Sequence, residues 1–322
     1  MPPPPAEDIQ KVFIYLIAEA IMTSVHHITV CICTYKRPHL LAKLLNKLQT
    51  QVTENLFTYS AVIVDNDALQ SARETIREWQ SKSIIPINYH CEPEQNISMA
   101  RNKTIANASG DYVALIDDDE FPDTQWLLHL YKAIQQYGAD GILGPVLPHF
   151  EIEPPKWVLK GNFFDRPKPI TGQELSWQDT RTGNALLKRN IFADGQVWFD
   201  PAFGSGGEDR DFFRRMIADG RIFIWSIDAP VFETIPPQRW DKKVLLKRAL
   251  LRGKMALNAA KSKLLSTLFS SLAITLYACF LPLSLLFGYH VFMKYLIKTC
   301  DHIGKVTAFF GFNLVNEKYV GV

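Results

Sequence analysis

Strand-like and helix-like segments alternate from residue 28 to about residue 147. Residues 28–33, Ile-Thr-Val-Cys-Ile-Cys, are apolar or β-branched throughout. That is the pattern of a strand covered on both faces, as in a parallel sheet. Pro38 follows where it suits a first helical turn, and Leu40, Leu41, Leu44, Leu45 and Leu48 make one apolar stripe. Tyr59-Ser-Ala-Val-Ile-Val-Asp65 reads as a second buried strand, Ser71–Gln80 as a helix, and Ile87–Glu92 as a weaker strand. Ser98–Ala108 reads as helical, with Gly110 beyond its end. Asp111–Ile116 is strand-like, Thr124–Tyr137 helical, and Gly141–Pro148 strand-like. This order predicts an α/β fold with a doubly wound sheet. Such sheets bind ligands beyond the carboxyl ends of their strands. Asp65 and Asp67 end one strand, and Asp117-Asp118-Asp119-Glu120 end another.

The remainder divides by composition. Residues 148–182 hold five prolines together with Trp157, Phe163, Phe164 and Trp177. A long aromatic segment of this kind inside a domain is expected to be ordered and functional. Gly204, Gly206 and Gly207 then lead into Glu208-Asp209, which open a helix with Phe212, Phe213, Met216 and Ile217 on its apolar side. From Asp241 to Lys263, eight lysines and arginines face one acid. The next 26 residues, 264–289, contain no charged residue or histidine, which is long enough to cross a bilayer. A buried soluble helix pair is the competing reading. The basic stretch favours a membrane-surface helix leading into a span or re-entrant hairpin, basic side cytoplasmic.

Residues 1–24 form an N-terminal extension. Its apolar run follows Glu7 and Asp8, with Lys11 as the one positive charge ahead of it, which argues against a secretory signal. Met22 is an alternative start. The formal net charge of +2 gives no ground for a nucleic-acid partner, and five scattered cysteines make no disulfide framework.

A D-x-D at a strand end suits a hard divalent cation, because Mg²⁺ takes one or two protein carboxylates alongside substrate phosphates. The acid spacing excludes an EF-hand, and no phosphate-cradling glycine loop follows the first strand. Asp117 and Asp119, two apart on extended backbone, are expected on one side and Asp118 on the other. Glu120 is expected to face an acceptor or solvent.

Cys-Thr-Tyr-Lys-Arg-Pro at 33–38, Val-Asp-Asn-Asp at 64–67, Asn-Ile-Ser-Met-Ala-Arg-Asn at 96–102, the acids at 117–120 and Gly-Gly-Glu-Asp-Arg-Asp at 206–211 occur in this order. Together they resemble the family 2 glycosyltransferases of the GT-A fold, over about residues 26–240. The resemblance implies a mixed sheet with a Rossmann-like nucleotide-binding half and an acceptor half. It also implies inverting sugar transfer of the hexosyltransferase type, from a nucleotide sugar, with a UDP-sugar expected, to an acceptor hydroxyl. Thr34, Tyr35 and Arg37 match the loop walling the nucleotide, and Asp65, with Asp67 beside it, matches the acid that reads a uracil-like base. Arg101 and Asn102 match residues lying along the nucleotide. Asp117 and Asp118 are assigned to the nucleotide, and Asp119 to Mg²⁺ or Mn²⁺. Asp209 matches the general base, with Glu208 beside it. Glu233 stands where relatives place a metal-binding histidine, and a metal ligand, an acceptor contact and neither role are equally open for it. Glu120, Gly207, Trp157 and Arg239 are candidate contacts to acceptor or donor sugar.

The domains expected are therefore 1–24, a GT-A domain at 25–240 and a membrane-associated helical region at 241–322. The implied setting is the cytoplasmic face of the inner membrane, building a cell-surface polysaccharide or glycolipid on a glycan or lipid-linked acceptor. Two other classes compete. An inert GT-A scaffold would lack Asp117, Asp119 or Asp209, and all three are present. A nucleotidyltransferase would want a glycine-rich basic loop after the first strand, and Thr-Tyr-Lys-Arg-Pro-His-Leu-Leu has no glycine.

Overall fold

The computed structural model describes residues 25–192, 197–204, 206–258 and 260–315. The N-terminal extension and the Met22 alternative lie outside these residues. The described residues up to Val146, with Pro167–Val231, form one compact unit. Leu147–Arg166 and the residues from Phe232 onward form a second. The chain therefore does not divide at residue 240: the Pro-rich stretch 147–166 belongs with the C-terminal helices.

The first unit is built on a seven-stranded sheet. Its strands are β1 (His26–Thr34), β2 (Phe57–Asp65), β3 (Ile87–Cys91), β4 (Tyr112–Ile116), β6 (Gly141–Leu143), β8 (Asn184–Lys188) and β9 (Phe223–Trp225). They lie in the order β3-β2-β1-β4-β8-β6-β9. Strands β1 to β4 pair in parallel, with Thr34 beside Asp65 at one end. β8 runs antiparallel to both β4 and β6, which makes the sheet mixed. β5 (Glu120–Pro122) is a three-residue strand just beyond β4. β7 (Val146–His149) and β10 (Val231–Thr234) are neighbours in a separate small sheet.

Helices cover both faces, as near-continuous apolar strands demand. Ile28, Val30 and Ile32 of β1 pack with Leu41, Leu44, Leu45 and Leu48 of α1 (Pro38–Leu48), Ile76 of α2 (Arg73–Lys82) and Trp126 of α4 (Trp126–Tyr137). Cys31 of the same strand points to the other face. There it meets Ile105 of α3 (Ile97–Ala106) and Phe212, Phe213 and Met216 of α6 (Glu208–Ala218). Side chains on a strand alternate sides, so one strand feeds two cores.

Trp126 has no accessible surface, and its indole N–H donates to Asn184 Oδ1 at 2.8 Å. Asn184 spends its Nδ2 on the carbonyls of Pro145 and Ala229. Trp126→Phe leaves that buried oxygen without its donor and is expected to destabilise the protein by about 1–3 kcal/mol. Chemical denaturation with an unchanged slope checks this; a loss below about 0.5 kcal/mol would show that Asn184 finds another donor.

The second unit holds α5 (Lys156–Gly161), α7 (Lys242–Asn258), α8 (Lys263–Ser284) and α9 (Tyr289–Phe309). Val158, Ile235 and Trp240 are its buried kernel, with Phe150, Trp157 and Phe164 around them. α7 and α9 touch through glycines. A Cβ on Gly253 would lie 1.9 Å from Asp301 O, and one on Gly304 would lie 2.1 Å from Leu250 O. Beside that crossing, Arg252 forks onto both oxygens of Asp301.

Candidate active site

The polar cluster lies at the carboxyl ends of β1, β2 and β4, where the topology directs a ligand. It starts from Arg37, just ahead of Pro38 at the start of α1. Arg37 Nη1 donates to Asp118 Oδ1 and to Asp119 Oδ2, both at 3.1 Å. Thr34 at the tip of β1 donates its hydroxyl to Asp118 Oδ2 at 2.8 Å. Burial drives the Asp118 pKa up, and Arg37 and Thr34 pull against it. Burial also opposes the charge on Arg37, but the facing aspartates outweigh it and raise its pKa.

Strand alternation therefore fails at the acids. The chain leaves the strand at Ile116 and turns through Asp118 and Asp119, with Glu120 N–H donating to Asp117 O at 3.1 Å. In a turn, successive side chains can converge. Asp118 does not point away from its neighbours; it is buried beneath them and braces Arg37. Glu120 meets neither solvent nor an open surface. It is 1 % exposed, and its Oε2 accepts the Asp117 N–H at 3.1 Å. Gly183 lies against it: an added Cβ would stand 2.6 Å from Glu120 Oε1.

Arg101 is the second organiser. It is buried on α3, with Nη2 donating to Asp117 Oδ1 at 3.1 Å and Nη1 to Glu208 Oε1. Asp117 keeps a half-exposed side chain. Cys33, Thr104 and Thr182 line a small pocket with Arg101 and Asp117. Burial pushes the Cys33 thiol far up, so it remains a thiol there.

α6 begins beside this cluster. Gly206 and Gly207 have φ of +125° and +95°, a backbone that side chains disfavour, and Gly207 caps the helix. The expected sugar contact at Gly207 is thus first a requirement of the turn. The two acids that follow divide their work. Glu208 is buried, tied to Arg101, and its Oε2 is buried without a hydrogen-bond partner. Asp209 is partly open: Oδ1 accepts the Arg210 N–H at 2.7 Å, and Oδ2 lies 4.0 Å from Arg181 Nε. Arg181 lies in the irregular stretch before β8, and sequence reading missed it because an arginine in a loop carries no periodicity or motif.

Three residues assigned to the nucleotide are used internally. Asp65 has no accessible surface. Its oxygens accept N–H groups of Asp67 at 3.1 Å and Ala72 at 2.8 Å, and the Tyr89 hydroxyl at 3.2 Å. Burial raises its pKa against those donors. It shapes the 65–72 loop and offers no exposed edge to a base. Asp67 is also buried, with Oδ1 accepting the Leu69 N–H at 3.2 Å. Asn102 commits both ends of its amide to the backbone of Phe199, at 2.7 and 2.9 Å. It ties α3 to the segment approaching α6. Tyr35 is partly exposed beside Lys36, whose ammonium stands 5.0 Å from the ring centre.

The remaining candidates belong to the second unit. Glu233 accepts from Arg166 at 2.7 Å and Arg239 at 2.5 Å, one on each oxygen. Burial would raise its pKa, but the two guanidinium groups prevail and lower it. A carboxylate held in this way does not suit a metal ligand, and Arg239 is engaged with it. Trp157 packs edge-on to Phe163 and Tyr289, which accounts for it without a sugar. Among the described residues, no group of three or more His, Cys, Asp and Glu side chains is arranged to hold a metal. The smaller pair, Asp117 and Asp119, is the number of carboxylates that Mg²⁺ takes beside substrate phosphates, and each is engaged by an arginine.

Comparison with known proteins agrees with this arrangement. Residues 29–195 match Glycosyl transferase family 2. The succinoglycan biosynthesis protein ExoM of Rhizobium meliloti (strain 1021) is 35 % identical over 233 residues, 71 % of this chain and 73 % of that protein. Chondroitin synthase of Escherichia coli is 23 % identical over 65 % of this chain, but this stretch is only 35 % of that longer protein. Among solved structures, S. aureus TarS 1–349 in complex with UDP superposes with a TM-score of 0.51 at 14 % identity, covering 90 % of this chain and 94 % of that one. At such identity the likeness shows a shared fold, the GT-A fold.

Proposed function

Because the chain belongs to glycosyl transferase family 2, we propose that it moves a sugar from a nucleotide sugar to an acceptor hydroxyl with inversion, in building a surface polysaccharide or glycolipid. One observation carries the reading. Arg37, Arg101, the Asp117–Asp119 turn and the Glu208-Asp209 start of α6 come from four separate segments and gather at the carboxyl edge of one sheet. Arginines and acids so placed suit a diphosphate, a cation and a hydroxyl in a row.

In this reading Arg37 and Arg101 lie ready for the diphosphate, Asp117 faces the nucleotide, and Asp119 would hold Mg²⁺ or Mn²⁺. When bound, the cation offsets negative charge developing on the leaving diphosphate. Asp209 removes the acceptor proton as the hydroxyl attacks the anomeric carbon from the side opposite the leaving group. Glu208 positions: with one oxygen on Arg101, it fixes the first turn of α6. ExoM's name supports polysaccharide synthesis as the setting. The apolar helix and the basic stretch before it support a membrane position at the cytoplasmic face, with a lipid-linked acceptor.

A thermal-shift panel of UDP-, GDP- and TDP-sugars with Mn²⁺ tests the donor. UDP leads because the TarS fold neighbour was solved with it. A ligand at 100 times its Kd stabilises by about 2.7 kcal/mol. No shift with any nucleotide sugar would overturn the reading. Asp119→Ala is expected to remove most of the Mn²⁺-dependent gain in UDP affinity, about 10-fold, while metal-free affinity changes little. Calorimetric titration with Mn²⁺ or EDTA measures both; an unchanged Mn²⁺ gain would remove Asp119 as a ligand.

A further inference from the structure

α8 is inside out relative to the helix of a soluble hairpin. Leu265, Leu268, Phe269, Leu272, Leu276 and Leu283 recur at helical spacing, and each is more than half exposed. The side chains that face inward are Thr267, Ser270 and Ser284, all 5 % exposed or less. Their polarity is met locally. Thr267 donates to Lys263 O at 2.8 Å, Ser284 to Leu281 O at 2.6 Å, and Ser270 pairs with His302 of α9 at 3.1 Å. Small hydroxyl residues inside with leucines outside is the arrangement that hydrocarbon favours and water penalises. The stretch Lys263–Phe287 is long and apolar enough to cross a bilayer by composition.

Its partner helix argues against crossing. α8 and α9 are joined by four residues and run antiparallel. Phe280 and Tyr277 pack on Tyr295, Tyr277 also on His302, and Ser270 reaches His302. If α8 spanned, α9 would return at the same depths. Lys298, Asp301 and His302 would then sit near the bilayer centre, where charged groups are rare and expensive. Lys294 and Lys298 are exposed one turn apart, and Asp301 is held by Arg252 of the basic helix α7. That edge suits headgroups.

We infer that the α8–α9 hairpin is monotopic: it lies flat in one leaflet rich in anionic lipid, with the α8 leucines in the acyl region and the α7 and α9 lysines at the phosphates. The inference rests on the membrane reading of this region and replaces the span with an in-plane helix. Full-length protein carries a nitroxide at Leu268→Cys, Leu276→Cys or Leu286→Cys, in a Cys279→Ser, Cys300→Ser background whose own signal is subtracted. It is bound to vesicles of phosphatidylglycerol and phosphatidylethanolamine, and label depth is read by collision with oxygen and a nickel chelate. The three labels are expected at one shallow depth, within about 5 Å, whereas a spanning helix would separate 268 from 286 by about 27 Å along the normal. Graded depths would overturn the flat placement and leave membrane binding intact. Failure to float with anionic vesicles would overturn the membrane reading itself. Labels immobilised in a lipid-free dimer would assign the leucine face to a second copy of this chain.

Discussion

Asp209→Asn is expected to lower turnover by about 10²–10⁴-fold, the usual worth of a positioned base, while UDP affinity stays within about twofold. The amide preserves shape and can still accept the Arg210 N–H, so α6 has no reason to move. What disappears is the ability to take a proton. Asp209 is the one of the two adjacent acids with an open side, since Glu208 is buried and committed to Arg101. Initial rates of UDP release and calorimetric UDP binding, on the same preparation, separate the two quantities. Near-wild-type turnover would give the base role to another group. A collapse of affinity would mean that Asp209 shapes the donor site.

Arg101→Met is expected to act mainly on stability. Arg101 is 8 % exposed and Glu208 5 %, so the substitution strands a buried carboxylate. Removing one partner of a buried pair costs about 3–5 kcal/mol, whereas replacing both with apolar groups is often neutral. The Arg101→Met, Glu208→Met double variant should therefore recover most of the lost stability. It should not recover activity, because Asp117 loses its guanidinium partner in both proteins. Denaturant midpoints across the four-member cycle measure the coupling. A loss under about 1 kcal/mol for the single variant would show that water reaches Glu208 and screens it.

Most of the fold could be read from residues 28–147, because buried parallel strands write continuous apolar runs and glycines mark the helix ends. The boundary between units could not. Residues 147–166 join the C-terminal helices through Val158 and Trp157 packing with Trp240 and Ile235, contacts made across some eighty residues of sequence. The site was legible as a set of residues but not as a division of labour. Period-two reasoning placed Asp118 opposite Asp117 and Asp119, but the chain turns there and both Asp118 and Asp119 reach Arg37. Asp65 and Asn102 carry family motifs, yet most of their hydrogen bonds go to backbone N–H and C=O groups of Asp67, Ala72 and Phe199, which no side-chain pattern announces. The engagement of Glu233 was hidden for a related reason: its arginine partners lie 67 and 6 residues away.

One guanidinium, that of Arg101, stands between Asp117, on the proposed donor side, and Glu208, in the first turn of the helix that carries the proposed base. A shared cation makes its two partners rivals. If a bound nucleotide sugar drew Asp117 toward itself, Arg101 would be left to Glu208 alone and α6 would be gripped more tightly. Linkage is reciprocal, so settling α6 would favour the donor in turn. The consequence is kinetic: loading the donor first would stiffen the platform on which the acceptor must land, and the two substrates would bind in a preferred order.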